Sequence, residues 1–234
     1  MLRLVCSSTC PLALRVAIVL RQKGAPFVVE YLDAEPRPAW FARLSPRGHL
    51  PLLQLNAPPD AERVGGEVLF DVSAICEYVE ETHPDPRLLP TDSVARARER
   101  ALVALLPEDL LEPLHRFALA ATTEAQDAAR AQLERSFARL AAQLRGKRQF
   151  LSGGGASFGM ADAAAAPGVH RLEALRRRYG VDLLSGSSAL QSWASRILAL
   201  PAVGESVPPA WDQQHHAALV AAGSLLTANA RPPS

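Results

Sequence analysis

Leu2-Arg3-Leu4-Val5-Cys6-Ser7-Ser8-Thr9-Cys10-Pro11-Leu12-Ala13-Leu14-Arg15 begins as a short apolar strand signal at 2–5 and passes at Cys10-Pro11 into a helical run at 12–22. Proline suits the first position of a helix, because its missing N–H costs nothing there and its fixed φ already fits the turn. Beyond it, Leu12, Val16, Val19 and Leu20 recur at helical spacing and Gly24 supplies a stop. A cysteine in front of that helix meets unpaired backbone N–H groups and the positive end of the helix dipole, which favour thiolate over thiol. Most free cysteines are small buried hydrophobes. Cys6, inside the strand, and Cys76, inside a later helical run, fit that description better than Cys10. A redox pair between Cys6 and Cys10 is the weaker alternative, because the usual dithiol motif has two intervening residues and sets both sulfurs at the helix start.

Strand and helix signals alternate outward from this stretch. Residues 27–32 read as a strand, 40–44 as a short helical piece closed by Ser45-Pro46-Arg47-Gly48, 52–55 and 67–70 as two strands, and 71–81 as an amphipathic helix. The order is βαβαββα over residues 1–83, an α/β domain. Prolines and aspartates break the pattern at 84–92, which marks a linker. Alanine, leucine and arginine then dominate, with helical runs at 94–120, 124–145, 160–179, 189–198 and 211–226, so residues 93–234 form an all-α domain. The closing Arg231-Pro232-Pro233-Ser234 reads as a disordered tail.

The chain has 234 residues, with 25 basic and 24 acidic side chains. A net charge of +1 carries no electrostatic footprint for nucleic acid, and the short arginine clusters at 145–148 and 176–178 read as solvated helix faces. Three cysteines cannot build a disulfide framework, which favours a reducing compartment. The apolar stretch within the first twenty residues is interrupted by Ser7, Ser8, Thr9, Pro11 and Arg15, so it does not read as a signal peptide. No run approaches the ~18 apolar residues of a membrane span. The expectation is a soluble, cytoplasmic protein without membrane or nucleic-acid partners. The six histidines are scattered or, at His215-His216, adjacent on different helix faces, so no metal site is expected.

Several motifs in register together resemble one family, the cytosolic glutathione transferases, and within it the omega class. Cys10-Pro11-Leu12-Ala13-Leu14-Arg15 is similar to that class's Cys-Pro-Phe-Ala-x-Arg, and Arg37-Pro38-Ala39-Trp40-Phe41 to its Lys-Pro-Glu-Trp-Phe. The spacing to Ser45-Pro46-Arg47-Gly48-His49-Leu50-Pro51 is kept without a gap, and Asp71-Val72-Ser73-Ala74-Ile75 stands where the family has Glu-Ser-x-Ala-Ile. Arg87-Leu88-Leu89-Pro90 and Met160-Ala161-Asp162 continue the likeness into the helical part. The resemblance implies a thioredoxin-like N-terminal domain followed by a helical one.

The resemblance also implies glutathione as cosubstrate and a set of residues to hold it. Cys10 would be the catalytic nucleophile, with Pro11 and Leu12 beside it. Pro51 would follow a cis peptide and turn the backbone of Leu50 toward the cysteinyl part of glutathione, with His49 adjacent. Asp71 would recognise the γ-glutamyl end, while the N–H groups of Val72 and Ser73 hold its α-carboxylate; Arg37 would pair with the glycyl carboxylate. Two departures stand out. Val72 replaces the family's serine and removes a hydroxyl from the carboxylate site, and Asp71 is one methylene shorter than glutamate. The long loop 56–66 is placed to overhang the site. The expected activity is thiol transfer or dehydroascorbate reduction on a small electrophile or disulfide, by a homodimer. The rival is a non-enzymatic interaction protein on the same scaffold, comparable with stringent-starvation proteins.

Overall fold

The computed structural model describes residues 1–33, 36–45, 47–56, 66–146 and 148–229. Residues 57–65, most of the loop expected to overhang the site, lie outside these, as does the tail 231–234. The chain divides into two compact units, Met1–Arg87 and Leu88–Ser234.

In the first unit β1 (Leu2–Cys6) is the central strand, with Leu4 and Val5 each 1% exposed. It pairs in parallel with β2 (Phe27–Tyr31), a geometry that requires a crossover, and α1 (Pro11–Gln22) supplies it. After α2 (Ala39–Leu44), β3 (Leu52–Gln54) pairs antiparallel with β1, and β4 (Val68–Phe70) antiparallel with β3, giving the order β2-β1-β3-β4. α3 (Val72–Thr82) packs on α1. This is the thioredoxin-like arrangement expected from the sequence. Phe41 of α2 seats against Val5 and Leu52, with Leu32, Trp40 and Leu50 around them, so α2 closes a small core over the strand ends.

Two cations that periodicity sets off the apolar stripe of α1 are nevertheless buried. Lys23 pairs with Glu80 of α3 at 2.5 Å with its side chain fully covered, and Arg15, 4% exposed, lies against Cys76. A buried cation that loses its partner is strongly destabilising, so these pairs fix how the two helices meet.

The second unit is helical: α4 (Ser93–Leu106), α5 (Glu112–Leu119), α6 (Thr123–Gln143), α7 (Met160–Tyr179), α8 (Ser188–Leu198), the short α9 (Pro201–Gly204) and α10 (Trp211–Ala221). The run expected to be one helix at 94–120 is broken by a π turn at Pro107–Leu111, because Pro107 and Pro113 remove two N–H donors from the ladder. The run expected at 211–226 stops at Ala221, where Gly223 takes a φ of 64°. α7 is the central helix, with Gly168 in such close contact with Leu110 that a Cβ there would come within 2.8 Å of it.

Asp162 orders the start of α7. Its Oδ1 accepts from the Leu151 N–H at 2.9 Å and the Trp193 indole N–H at 2.8 Å, and its Oδ2 from the N–H groups of Ser152 at 3.1 Å and Gly159 at 3.2 Å. Gly159 occupies the cap position where Ser or Thr would be usual because a Cβ would lie 2.5 Å from Ser152 Cβ and 2.7 Å from the Leu88 carbonyl.

Candidate active site

The strand register decides which loops meet. Cys6 pairs with Tyr31, Val5 with Leu52 and Leu52 with Phe70, so the ends of β1, β2 and β4 and the start of β3 lie at one end of the sheet. The segments that emerge there contain Cys10, Arg37, His49-Leu50-Pro51 and Asp71-Val72-Ser73. Residues far apart in sequence are thereby brought to one end of the N-terminal unit.

Cys10 is the N-cap of α1, with φ −73°, ψ 119° and Pro11 at the first helical position. Its N–H donates to the Ser7 carbonyl at 3.3 Å and its carbonyl accepts the Leu14 N–H at 3.1 Å, so the residue closes one turn and opens the next. All three cysteines are free, and only Cys10 is partly exposed. Burial, with the charges of Cys10 and Asp33 adding to it, pushes the Cys6 thiol up to about 12. Burial raises Cys76 to about 11 against the opposing effect of Arg15. Both stay protonated at neutral pH. Pro11 and Leu12 are half-buried beside Cys10.

The Leu50–Pro51 peptide is cis, as expected from the resemblance. The turn before it is held by Ser45, whose Oγ donates to the His49 carbonyl at 3.0 Å, and by Arg37, whose Nη1 donates to the Gly48 carbonyl at 2.7 Å. The Arg37 guanidinium also lies 4.9 Å over the Phe41 ring. Arg37 is therefore a brace between α2 and the Leu50 turn, in addition to being a candidate partner for a carboxylate. His49 is exposed and Leu50 half-buried.

Asp71 caps α3 in the left-handed region, φ 70° and ψ 125°. A non-glycine residue there carries roughly 1–3 kcal/mol of strain, which concentrates at functional sites. Its Oδ1 accepts from Ser73 N–H at 2.9 Å and Ala74 N–H at 3.0 Å. This corrects one expectation: the Ser73 N–H is engaged by Asp71, because the short aspartate side chain curls back onto its own helix. Val72, 9% exposed, turns its side chain inward, whereas Ser73 is exposed. What remains to meet a carboxylate is the Val72 N–H, in the first helical turn where amides lack an intrahelical acceptor, and the Ser73 hydroxyl.

One residue of this cluster was missed in the sequence. Asp33, just past β2, accepts at Oδ1 from Ser7 Oγ at 2.8 Å and from Ser8 N–H at 2.9 Å. Burial pulls its carboxyl upward, but the hydrogen bonds from Ser8 and Ser7 outweigh it and hold the group below the usual carboxylate range. An acid after a strand gives no sign in one dimension that it reaches a loop twenty-five residues earlier. Among the described residues no group of three or more His, Cys, Asp or Glu could hold a metal, and no helix is long and apolar enough to cross a membrane.

A four-stranded thioredoxin-like unit with a cysteine at its first helix, followed by an all-helical unit, defines a two-domain architecture of the glutathione transferase type. Residues 9–82 match the family model for the glutathione S-transferase N-terminal domain, and 123–196 that for the C-terminal domain. The chain belongs to the glutathione S-transferase family. It is 30% identical over 213 residues to pyrimidodiazepine synthase of Drosophila melanogaster, covering 86% of this chain and 79% of that one. It is 28% identical over 194 residues to glutathione S-transferase omega-1 of Sus scrofa, with 83% and 75% covered. A stringent starvation protein A homolog of Histophilus somni is 29% identical over 199 residues, with 83% and 86% covered. Among solved structures, glutathione transferase Omega 3C of Trametes versicolor superposes with a TM-score of 0.74 at 25% identity, covering 88% of each chain.

Proposed function

We propose that this protein is a glutathione-dependent thiol transferase or reductase of the omega type, with Cys10 as nucleophile. The observation that carries the reading is the placement of the one partly exposed thiol, at a helix N-cap, at the end of the sheet that also bears the cis Leu50–Pro51 turn and the Asp71 cap. Glutathione presents two carboxylates and one ammonium. Arg37 and the Val72 N–H complement the carboxylates, Asp71 the ammonium, and Leu50 offers its backbone to the cysteinyl unit. The Cys10 thiolate attacks a mixed disulfide or an electrophilic carbon of a small substrate, and glutathione then releases the product. The working unit is a cytoplasmic homodimer. The similarity to omega-class transferases supports this reading.

The test is glutathione-dependent reduction of 2-hydroxyethyl disulfide by the protein and by Cys10→Ser. A loss of at least about 100-fold in the variant is expected of a covalent nucleophile; equal turnover by both proteins would contradict it. A second reading, an interaction protein on the same scaffold, is favoured by the inward-turned Val72 and the likeness to a stringent starvation protein A homolog. A protein of that kind would wash through immobilised glutathione, whereas the transferase is retained.

A further inference from the structure

We infer that Asp33 is a positioning residue for Cys10, an inference that rests on Cys10 being the nucleophile. The Leu32 N–H donates to the Cys6 carbonyl at 2.8 Å, which continues the β1–β2 pairing one step past the strands and brings Asp33 beside the segment leading to Cys10. One carboxylate oxygen there collects the Ser7 hydroxyl and the Ser8 N–H. The Ser7 carbonyl in turn accepts the Cys10 N–H, closing the turn Ser7-Ser8-Thr9-Cys10. The chain of bonds thus runs from β2 through Asp33 and Ser7 to the amide of the reactive residue. Without Asp33 the turn keeps the Cys10–Ser7 bond and loses the bonds from Ser7 and Ser8 to the residue that follows β2, while Leu50 and Asp71 stay where β3 and α3 hold them. Asp33 sets the sulfur's position relative to the rest of the glutathione site.

The oxidant of the relevant step is glutathione disulfide itself. The Cys10 thiolate attacks one sulfur of glutathione disulfide, a Cys10–glutathione S–S bond forms, the original S–S bond breaks, and one glutathione leaves as thiolate and takes a proton from solvent. Rates of this reaction are compared with rates of Cys10 alkylation by iodoacetamide, a small reagent that uses none of the surrounding site. Asp33→Ala is expected to slow mixed-disulfide formation about tenfold or more while changing alkylation less than about twofold, since misplacement penalises only the reaction that needs alignment. Asp33→Asn keeps an acceptor oxygen and is expected to restore most of the rate. Should Asp33→Ala fail to fold, Ser7→Ala carries a smaller version of the same comparison, because it removes the hydroxyl bond to Asp33 and leaves the carboxylate and its bond from the Ser8 N–H in place. Unchanged mixed-disulfide formation in Asp33→Ala or Ser7→Ala would overturn the inference, as would an Asp33→Asn protein as slow as Asp33→Ala. If the unsubstituted protein forms no adduct at Cys10, the nucleophile reading fails and this inference with it, an outcome distinct from equal rates.

Discussion

Cys10, Cys6 and Cys76 share a side chain, and exposure separates the first from the other two. Cys6 and Cys76 are 3% and 1% exposed, and burial raises their thiols to about 12 and about 11. A thiol that is both covered and protonated is neither reachable nor nucleophilic. Brief treatment with iodoacetamide near neutral pH is therefore expected to modify Cys10 first, read by peptide mass spectrometry. Labelling of Cys6 or Cys76 ahead of Cys10 would contradict this. The sequence already singled out Cys10, because Pro11 marks a helix start without help from tertiary structure. It did not reveal that Ser73 would lose its N–H to Asp71 or that Val72 would face inward, since both depend on how a short acid folds back over the first turn of α3.

At the scale of elements, local signals sufficed where a helix or strand is bounded by its own residues: Pro11 for α1, Pro51 before β3, Asp71 for α3. They failed where packing or backbone donors decide. The π turn at Pro107–Leu111 and the short α9 are set by Pro107, Pro113 and Pro201, which remove backbone donors within or beside helical composition, and Lys23 and Arg15 are buried where α3 brings Glu80 and Cys76 to them. α7 shows what an element needs beyond periodicity. Its N-terminus depends on a fully buried Asp162 that satisfies three backbone N–H groups and the Trp193 indole. Asp162→Ala would leave four donors without their acceptor and is expected to destabilise the protein by ~3–5 kcal/mol. Urea unfolding followed by circular dichroism measures it. A loss below about 1 kcal/mol would mean the network contributes little more than an ordinary surface bond.

Across the whole molecule, acid sensitivity should originate in the helical unit. Trp211 has His170 edge-on at 4.5 Å and His215 stacked at 4.6 Å. Burial lowers both imidazoles to about 4; around His170, Asp212 opposes the fall while Arg177 and Arg171 assist it, and around His215, Arg171, His170, His115 and His216 assist. His115 and His216 are lowered as well, again by burial first. The unfolded chain, with ordinary imidazoles, binds more protons than the native state below its own pKa. This stability is therefore complete above about 6.5 and is lost as pH falls toward about 4. Between about pH 7 and about pH 5.5 the loss should be ~1 kcal/mol for each of these two rings, before ordinary carboxylates titrate. Denaturant midpoints at the two pH values test it, and His215→Gln should flatten the dependence; an unchanged midpoint would show that the rings are not held neutral.

The central claim, a glutathione-dependent nucleophile at Cys10 at the end of the sheet where β1, β3 and α3 meet, is tested most directly by a crystal structure of the protein soaked with glutathione disulfide. The account predicts continuous density from Cys10 Sγ into a glutathionyl group, its cysteinyl backbone against Leu50 and its γ-glutamyl end at Asp71. Unmodified Cys10 under saturating disulfide, or an adduct on Cys6 or Cys76 instead, would contradict it.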